Sequence, residues 1–359
     1  MEREQPDLIH VHAFTPAVSL RLVRAAKQSN IPVIFTYHTP TVSCQRGTLL
    51  QSGTKICDGK LDLSTCTPCT LQGMGMDEHQ ARLVGSVPAA IGQILGTFGL
   101  QGGAWTALRM RELVQCRHQA FHQLMAEVDR IIAVCDWVKD VLQLNNIPPD
   151  KIILCRQGLC QPLMPLAPNR DRSPSGSLKL VFLGRLDRIK GVDLLIRALA
   201  TMPNLPVSLD IYGISQSSGG DRYQDELATL AQADPRIIFK PPIPSSAVIT
   251  TLIQYDAIAI PSQWLETGPL VVLEAFAAGI PVLGSRLGGI VELVKDGVNG
   301  VLIDPSSVAA WAAAIQDLCL DPVRLTHLRS GISPPSTMES VAEQMRSIYQ
   351  SQLLGIDLE

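Results

Sequence analysis

Two glutamates eight positions apart, Glu266 and Glu274, frame the stretch where the sequence concentrates groups suited to binding chemistry, SQWLETGPLVVLEAFAAGIPVLGSRLGG from Ser262 to Gly289. Pro269 suits the first turn of a helix, where its missing N–H costs nothing, and Thr267 and Gly268 ahead of it can cap and turn the chain. The helix is expected from Leu270 to Ala278, ending at Gly279 before Ile280-Pro281. Glu266 then sits at the positive end of the helix, with Glu274 roughly two turns along it. Free N–H groups and the dipole at a helix N-terminus favour a phosphate, and carboxylates accept hydrogen bonds from sugar hydroxyls. A ligand negative in its middle and hydroxylated at both ends fits this layout, and a nucleotide-sugar is such a ligand.

A second group lies upstream, in FLGRLDRIKG. Ligands of open α/β sheets gather at the carboxyl ends of strands. Gly184 lets backbone approach closely there, while Arg185 offers a fork and Lys190 a point charge to phosphate oxygens. The dinucleotide pattern G-x-G-x-x-G does not follow this strand, and Asp-x-Asp is absent from the chain. A diphosphate held here is therefore offset by Arg185, Lys190 and helix dipoles, with no catalytic metal expected. A third group is thiol: Cys44, Cys57, Cys66 and Cys69, with one C-x-x-C. That set suits a structural zinc with four thiolate ligands pinning a core-poor loop; free thiols, disulfides and another metal are the alternatives. The other five of the nine cysteines, Cys116, Cys135, Cys155, Cys160 and Cys319, read as small apolar core residues.

The elements that must position these groups have the composition of α/β layers: 46% hydrophobic, but only 4% aromatic. A net charge of −3 gives no electrostatic footing for nucleic acid. No Lys/Arg-led apolar segment opens the chain, so a cytoplasmic, reducing compartment is expected. Strand–helix–strand runs from Leu8 to Tyr37, ending at His38. Residues 39–71 show few helix signals, and 77–127 read as helical with breaks at Pro88 and Gly102-Gly103. No Asp, Glu, Lys or Arg occurs between Arg82 and Arg109, which reads as a buried or membrane-surface helix pair, the latter making the protein peripheral at a membrane. A Pro/Ser-rich stretch, 162–177, marks a boundary; beyond it six strands alternate with helices, as in a doubly wound sheet.

The segments FLGRLDRIKGVDLLIRAL, DIYG and PSQWLETGPLVVLEAFAAGIPVLGSRLGGIVELVKDGVNGVLIDP, with PDLIHVHAF and FTYHTP upstream, closely resemble the family-4 retaining glycosyltransferases. The resemblance implies the GT-B fold: two Rossmann-like doubly wound α/β domains with a cleft between. It implies an acceptor-side domain over residues 1–165 with a Cys-rich insertion near 44–69, a nucleotide-sugar domain over 178–335, and a final helix, 336–359, crossing back. By the same resemblance Arg185 and Lys190 bind the donor diphosphate, Glu266 lies by the donor sugar and Glu274 binds the ribose hydroxyls. The N–H groups of Thr267, Gly268 and Leu270, though not of Pro269, meet sugar and diphosphate. His38 ends a first-domain strand near the reacting sugar, and His12 is a weaker candidate. The implied reaction moves a sugar from a UDP- or GDP-sugar to a glycan, lipid-linked or small-molecule acceptor, with retention. Family members carry a strand and a Gly-rich loop before the PD-x-x-H-x-H segment, here at Pro6, so the N-terminal domain is expected to be incomplete by on the order of two or three βα units. A partner chain or second copy would complete the sheet, and the alternative expectation is a non-catalytic nucleotide-sugar-binding subunit.

Overall fold

The structure is a computed structural model that describes residues 4–13, 18–53, 55–100, 102–160, 176–214 and 220–356. The chain divides into two compact units, Met1–Arg156 with Gln344–Glu359, and Gln157–Glu343. The 162–177 boundary stretch lies outside the described residues except for Gly176 and Ser177.

In the first unit β1 (Ile9–Val11) leads through α1 (Leu20–Gln28) to β2 (Val33–Tyr37). Val33-Ile34-Phe35-Thr36-Tyr37 is β-branched or aromatic throughout and buried throughout, as a strand covered on both faces must be. Helix α1 turns Val23 and Ala26, three positions apart, into the same core. A long excursion follows: a small hairpin, β3 (Leu50–Gln51) and β4 (Lys55–Ile56), then α2 (Leu63–Gly73), α3 (Glu78–Gly85), α4 (Ala89–Thr97), α5 (Gly103–Leu108) and α6 (Met110–Glu127). The sheet resumes with β5 (Arg130–Ala133), and α7 (Asp136–Leu144) carries the chain to β6 (Ile152–Leu154). All pairings in the sheet are parallel and its order is β1-β2-β5-β6.

One reading of the excursion needs correction. Residues 39–71, expected to be largely non-helical, contain most of α2. Its Ser, Thr, Cys and Pro content is poor for a helix, but Asp62 caps it by accepting from the Thr65 N–H at 2.8 Å, and Leu71 is fully buried against neighbouring helices. The uncharged stretch between Arg82 and Arg109 forms two short helices. At nine residues α4 rises only ~14 Å, and among the described residues no helix is long and apolar enough to cross a membrane.

The second unit holds β7 (Leu178–Arg185), α8 (Val192–Ala200), β8 (Val207–Ile214), α9 (Gly220–Ala231), β9 (Ile237–Lys240), α10 (Val248–Leu252), β10 (Ala257–Ile260), α11 (Leu270–Ala277), β11 (Val282–Ser285), α12 (Gly288–Leu293), β12 (Gly300–Ile303), α13 (Val308–Leu320) and α14 (Pro322–Ser330). Helix α15 (Met338–Leu354) closes the chain, entering the first unit at Gln344. The six parallel strands lie in the order β12-β11-β10-β7-β8-β9. Both faces are packed: Leu178, Leu180 and Phe182 of β7 belong to one core and Val181 to the other. Strand order reverses between β7 and β10, and in such sheets ligands bind outside the carboxyl ends of the strands at that switch point. The loop from Arg185 to Gly191 and the loop from Pro261 to Pro269 leave those two strands there.

Candidate functional site

The two switch-point loops are stitched together by backbone and side chain. The Gln263 N–H donates to the Ile189 carbonyl at 2.7 Å, and Gln263 Nε2 donates to the carbonyls of Pro261 and Pro305 at 2.7 and 2.8 Å. Gly191 makes this closeness possible. It has φ of +67°, and a Cβ there would lie 2.1 Å from the Pro261 carbonyl oxygen. Gly191→Ala is therefore expected to cost roughly 3 kcal/mol or more, combining a left-handed backbone with a collision against main chain. Urea unfolding of the variant checks this, and a loss under about 1 kcal/mol would show that the loops separate easily. Gly184 is different: a Cβ would stand 3.4 Å from the Phe182 ring, so the protein alone does not require glycine there.

Within this frame Lys190 Nζ donates to Glu266 Oε1 at 2.6 Å, and Ser262 Oγ donates to the same oxygen at 2.7 Å. Glu266 is only 8% exposed, so the ion pair is shielded from water. An ammonium has three donors, and the pairing with Glu266 uses one of them. The Lys190 ammonium also stands 5.8 Å from the centre of the Trp264 ring. Arg185 closes β7 half-buried, and among the described residues its guanidinium has no ion-pair or hydrogen-bond partner. The pair of Lys190 with Glu266 and the supporting Ser262 were not legible as contacts; the only sequence signal was the short spacing of Ser262 from Glu266.

Helix α11 begins at Leu270, with Pro269 at the N-cap position in an extended conformation and no side chain capping the first turn. The expected capping by Thr267 or Gly268 is thus corrected: Pro269 is not yet helical, and the first-turn N–H groups are left without a side-chain acceptor. Glu274 is the fifth residue of α11, just over one turn in rather than two. Burial pushes its carboxyl above the usual carboxylate range, and among the described residues it has no hydrogen-bond partner. Gly268 packs against Gln157, whose amide oxygen would lie 2.6 Å from a Cβ at that position.

The histidines belong to the first unit. His38 follows β2, and its Nε2 is 3.0 Å from His12 Nδ1, just beyond β1. His10 contacts the Tyr349 hydroxyl through Nδ1 at 2.6 Å and the Thr36 hydroxyl through Nε2 at 2.7 Å. Burial, then the neighbouring rings of His12 and His38, lower its pKa to about 4. His38 is lowered too, by burial and then by His12.

The zinc expectation for Cys44, Cys57, Cys66 and Cys69 is not met by the geometry: among the described residues no group of three or more His, Cys, Asp or Glu is arranged to hold a metal ion. All four thiols are free; Cys69 Sγ contacts the Leu50 carbonyl at 3.8 Å and Cys66 Sγ that of Lys60 at 3.9 Å, while the sulfurs of Cys69 and Cys57 accept from the Ser52 and Gly59 N–H groups at 3.3 and 3.4 Å. Burial pushes the Cys66 thiol up to about 11, and the nearby Cys57, Cys44 and Cys69 act in the same direction. The loop is pinned by an amide instead: Asn145 Oδ1 accepts from the Leu61 N–H at 2.8 Å and its Nδ2 donates to the Gly59 carbonyl at 2.9 Å. Of the five cysteines read as core, Cys135, Cys155 and Cys319 are buried, whereas Cys116 and Cys160 are exposed.

Comparison with known proteins places these features. The profile of glycosyl transferases group 1 matches residues 166–332, and that of glycosyltransferase family 4 matches residues 1–56. The D-inositol 3-phosphate glycosyltransferase of Thermobispora bispora is 30% identical over 224 residues, 58% of this chain and 52% of the relative. That of Catenulispora acidiphila is 27% identical over 250 residues, 65% of this chain and 59% of the relative. The chain spans about half the length of the curated relatives it matches. Among solved structures, Anabaena Alr3699/HepE in complex with UDP and glucose aligns with a TM-score of 0.62 at 18% identity, over 96% of this chain and 78% of that one. Sucrose-phosphate synthase from Thermosynechococcus elongatus aligns with a TM-score of 0.62 at 19% identity, over 97% and 74%.

Proposed function

The chain belongs to the family-4, group 1 glycosyltransferases of GT-B fold, and from that premise we propose that it moves a sugar from a UDP- or GDP-sugar to a glycan, lipid-linked or small-molecule acceptor with retention of configuration. The observation that carries the reading is the group at the switch point of the second sheet: Lys190 paired with a buried Glu266, an Arg185 without a partner among the described residues, and the uncapped start of α11, with Glu274 one turn beyond. Arg185 and the remaining donors of Lys190 hold the diphosphate, joined by the N–H groups of Thr267, Gly268 and Leu270. Glu274, half-buried and without a protein partner, accepts from the ribose hydroxyls. Glu266 lies toward the sugar, and His38 acts at the reacting end of the donor.

No acid–base pair of carboxylates is needed in this scheme. As the bond from the anomeric carbon to the diphosphate oxygen breaks, negative charge grows on the leaving phosphate, and the cations and helix N–H groups stabilise it there. The departing diphosphate takes the proton of the acceptor hydroxyl, whose oxygen forms the new bond on the same face. HepE in complex with UDP and glucose, a protein of the same fold, supports a uridine nucleotide among the donors to be tried first. The test is release of nucleoside diphosphate from a panel of UDP- and GDP-sugars with added acceptors, with the anomeric configuration of the product read by NMR. Acceptor-dependent release with a retained anomer is expected; an inverted product would exclude the retaining scheme.

A further inference from the structure

Three imidazoles meet at the carboxyl edge of the first sheet, and their contacts form a series. Tyr349 on α15 and Thr36 on β2 hold the two nitrogens of His10 at 2.6 and 2.7 Å. The His10 ring lies against the His12 ring, centroids 3.9 Å apart, and His12 Nδ1 meets His38 Nε2 at 3.0 Å. A hydrogen bond between two imidazoles needs one donor and one acceptor nitrogen, so it ties the tautomer of each ring to that of the other. Protonating both rings turns both facing nitrogens into donors and breaks the bond. The groups facing the three rings are those of β1, β2 and α15 already named, and Cys155 lies near Tyr349. Among the described residues no carboxylate is bonded to any of the three rings, so none is placed to hold the pair in its charged form.

We propose that His12 is a positioning residue that fixes the ring plane and tautomer of His38, itself held in place from α15 through Tyr349 and His10. This rests on the transferase reading only for what His38 does to substrate. The pairing itself is a property of the first unit. One nitrogen of His38 is thereby engaged before a donor arrives. Positioning losses in active sites reach about 100-fold for a displacement of about 1 Å. His12→Ala is accordingly expected to lower kcat for sugar transfer by ~10- to 100-fold while the KM for the donor changes less than about twofold. His12→Asn, whose amide can supply one half of the hydrogen bond, recovers most of the loss.

The deciding measurement is nitrogen-resolved NMR of the histidine side chains in the whole chain, native and His12→Ala, over a pH titration. His12 is exposed, so the variant is expected to keep its fold. The native His38 should show one dominant tautomer and a titration midpoint below that of an ordinary histidine. In His12→Ala the midpoint should rise and the two tautomers should mix. Tyr349→Phe should produce a smaller change of the same kind. An unchanged His38 tautomer and midpoint in His12→Ala would overturn the proposal whatever the activity does. If the NMR changes appear but the native chain transfers no sugar, the transferase reading fails and the positioning pair stands.

Discussion

Lys190→Met is expected to lower the stability of the chain by about 3 kcal/mol, because it leaves the Glu266 carboxylate buried without its cation. Glu266 and Lys190 have side chains only 10% and 20% exposed, and their 2.6 Å contact is far from the surface ion pairs that contribute little. Ser262 still donates to Glu266 in the variant, but a neutral hydroxyl does not replace the ammonium charge. The double variant Lys190→Met/Glu266→Gln should recover most of the loss, since the glutamine needs no counter-charge. Urea unfolding of the native chain, both single variants and the double variant gives the coupling directly. A coupling under about 0.5 kcal/mol would show that the pair is solvated and the site open. The same variant should weaken UDP binding at least ~10-fold, one charge-assisted contact to phosphate being worth roughly 1.5–3 kcal/mol.

Glu274→Ala should have effects of opposite sign on affinity and stability. The carboxyl is half-buried on α11, raised in pKa by burial, with no hydrogen-bond partner among the described residues. A polar group held in that way costs the free protein desolvation that only a ligand returns. Removing it should leave stability unchanged or raise it by up to about 1 kcal/mol, while nucleotide affinity falls ~10- to 100-fold, the worth of hydrogen bonds from two ribose hydroxyls to a charged acceptor. Because its pKa is raised, Glu274 gains its proton at a higher pH than an ordinary glutamate, and donor affinity should begin to fall correspondingly early on acidification. Thermal unfolding and nucleotide titration of one variant preparation separate the two effects. A variant that is destabilised and binds normally would mark Glu274 as a structural residue.

The second sheet was largely legible because its signals are local. Gly184-Arg185 follows an apolar run that ends β7, Gly279 with φ of +70° ends α11, and the alternation of strand and helix gives the parallel order. Helix α14 is hard to read from sequence although Asp321 caps it by accepting from the Arg324 N–H at 3.0 Å; the cap is a short-range signal, but the helix behind it has no periodic apolar face. Helix α2 was missed for the same reason, since it depends on tertiary burial of Leu71. The partners within the site were less accessible. Lys190 and Glu266 are 76 positions apart, and His10 and Tyr349 are 339 apart, so no spacing rule connects them. The cysteine spacing suggests shared ligation, and the fold does bring Cys44, Cys57 and Cys69 near Cys66, but spacing does not fix where each thiol points. Gly184 and Gly191 look alike in sequence; only the fold shows that Gly191 faces a carbonyl at 2.1 Å and Gly184 an aromatic edge at 3.4 Å.

The central claim is that the switch point of the second sheet holds the nucleoside diphosphate of a sugar donor, with phosphate on Arg185 and Lys190 and ribose on Glu274. Isothermal titration of UDP and of GDP into the native chain and into Glu274→Ala tests it most directly. One of the two nucleotides should bind the native chain at one site per chain, and the variant should bind it at least ~10-fold more weakly, about 1.4 kcal/mol. No heat of binding from either nucleotide with the native chain, or equal affinity in the variant, would contradict the account.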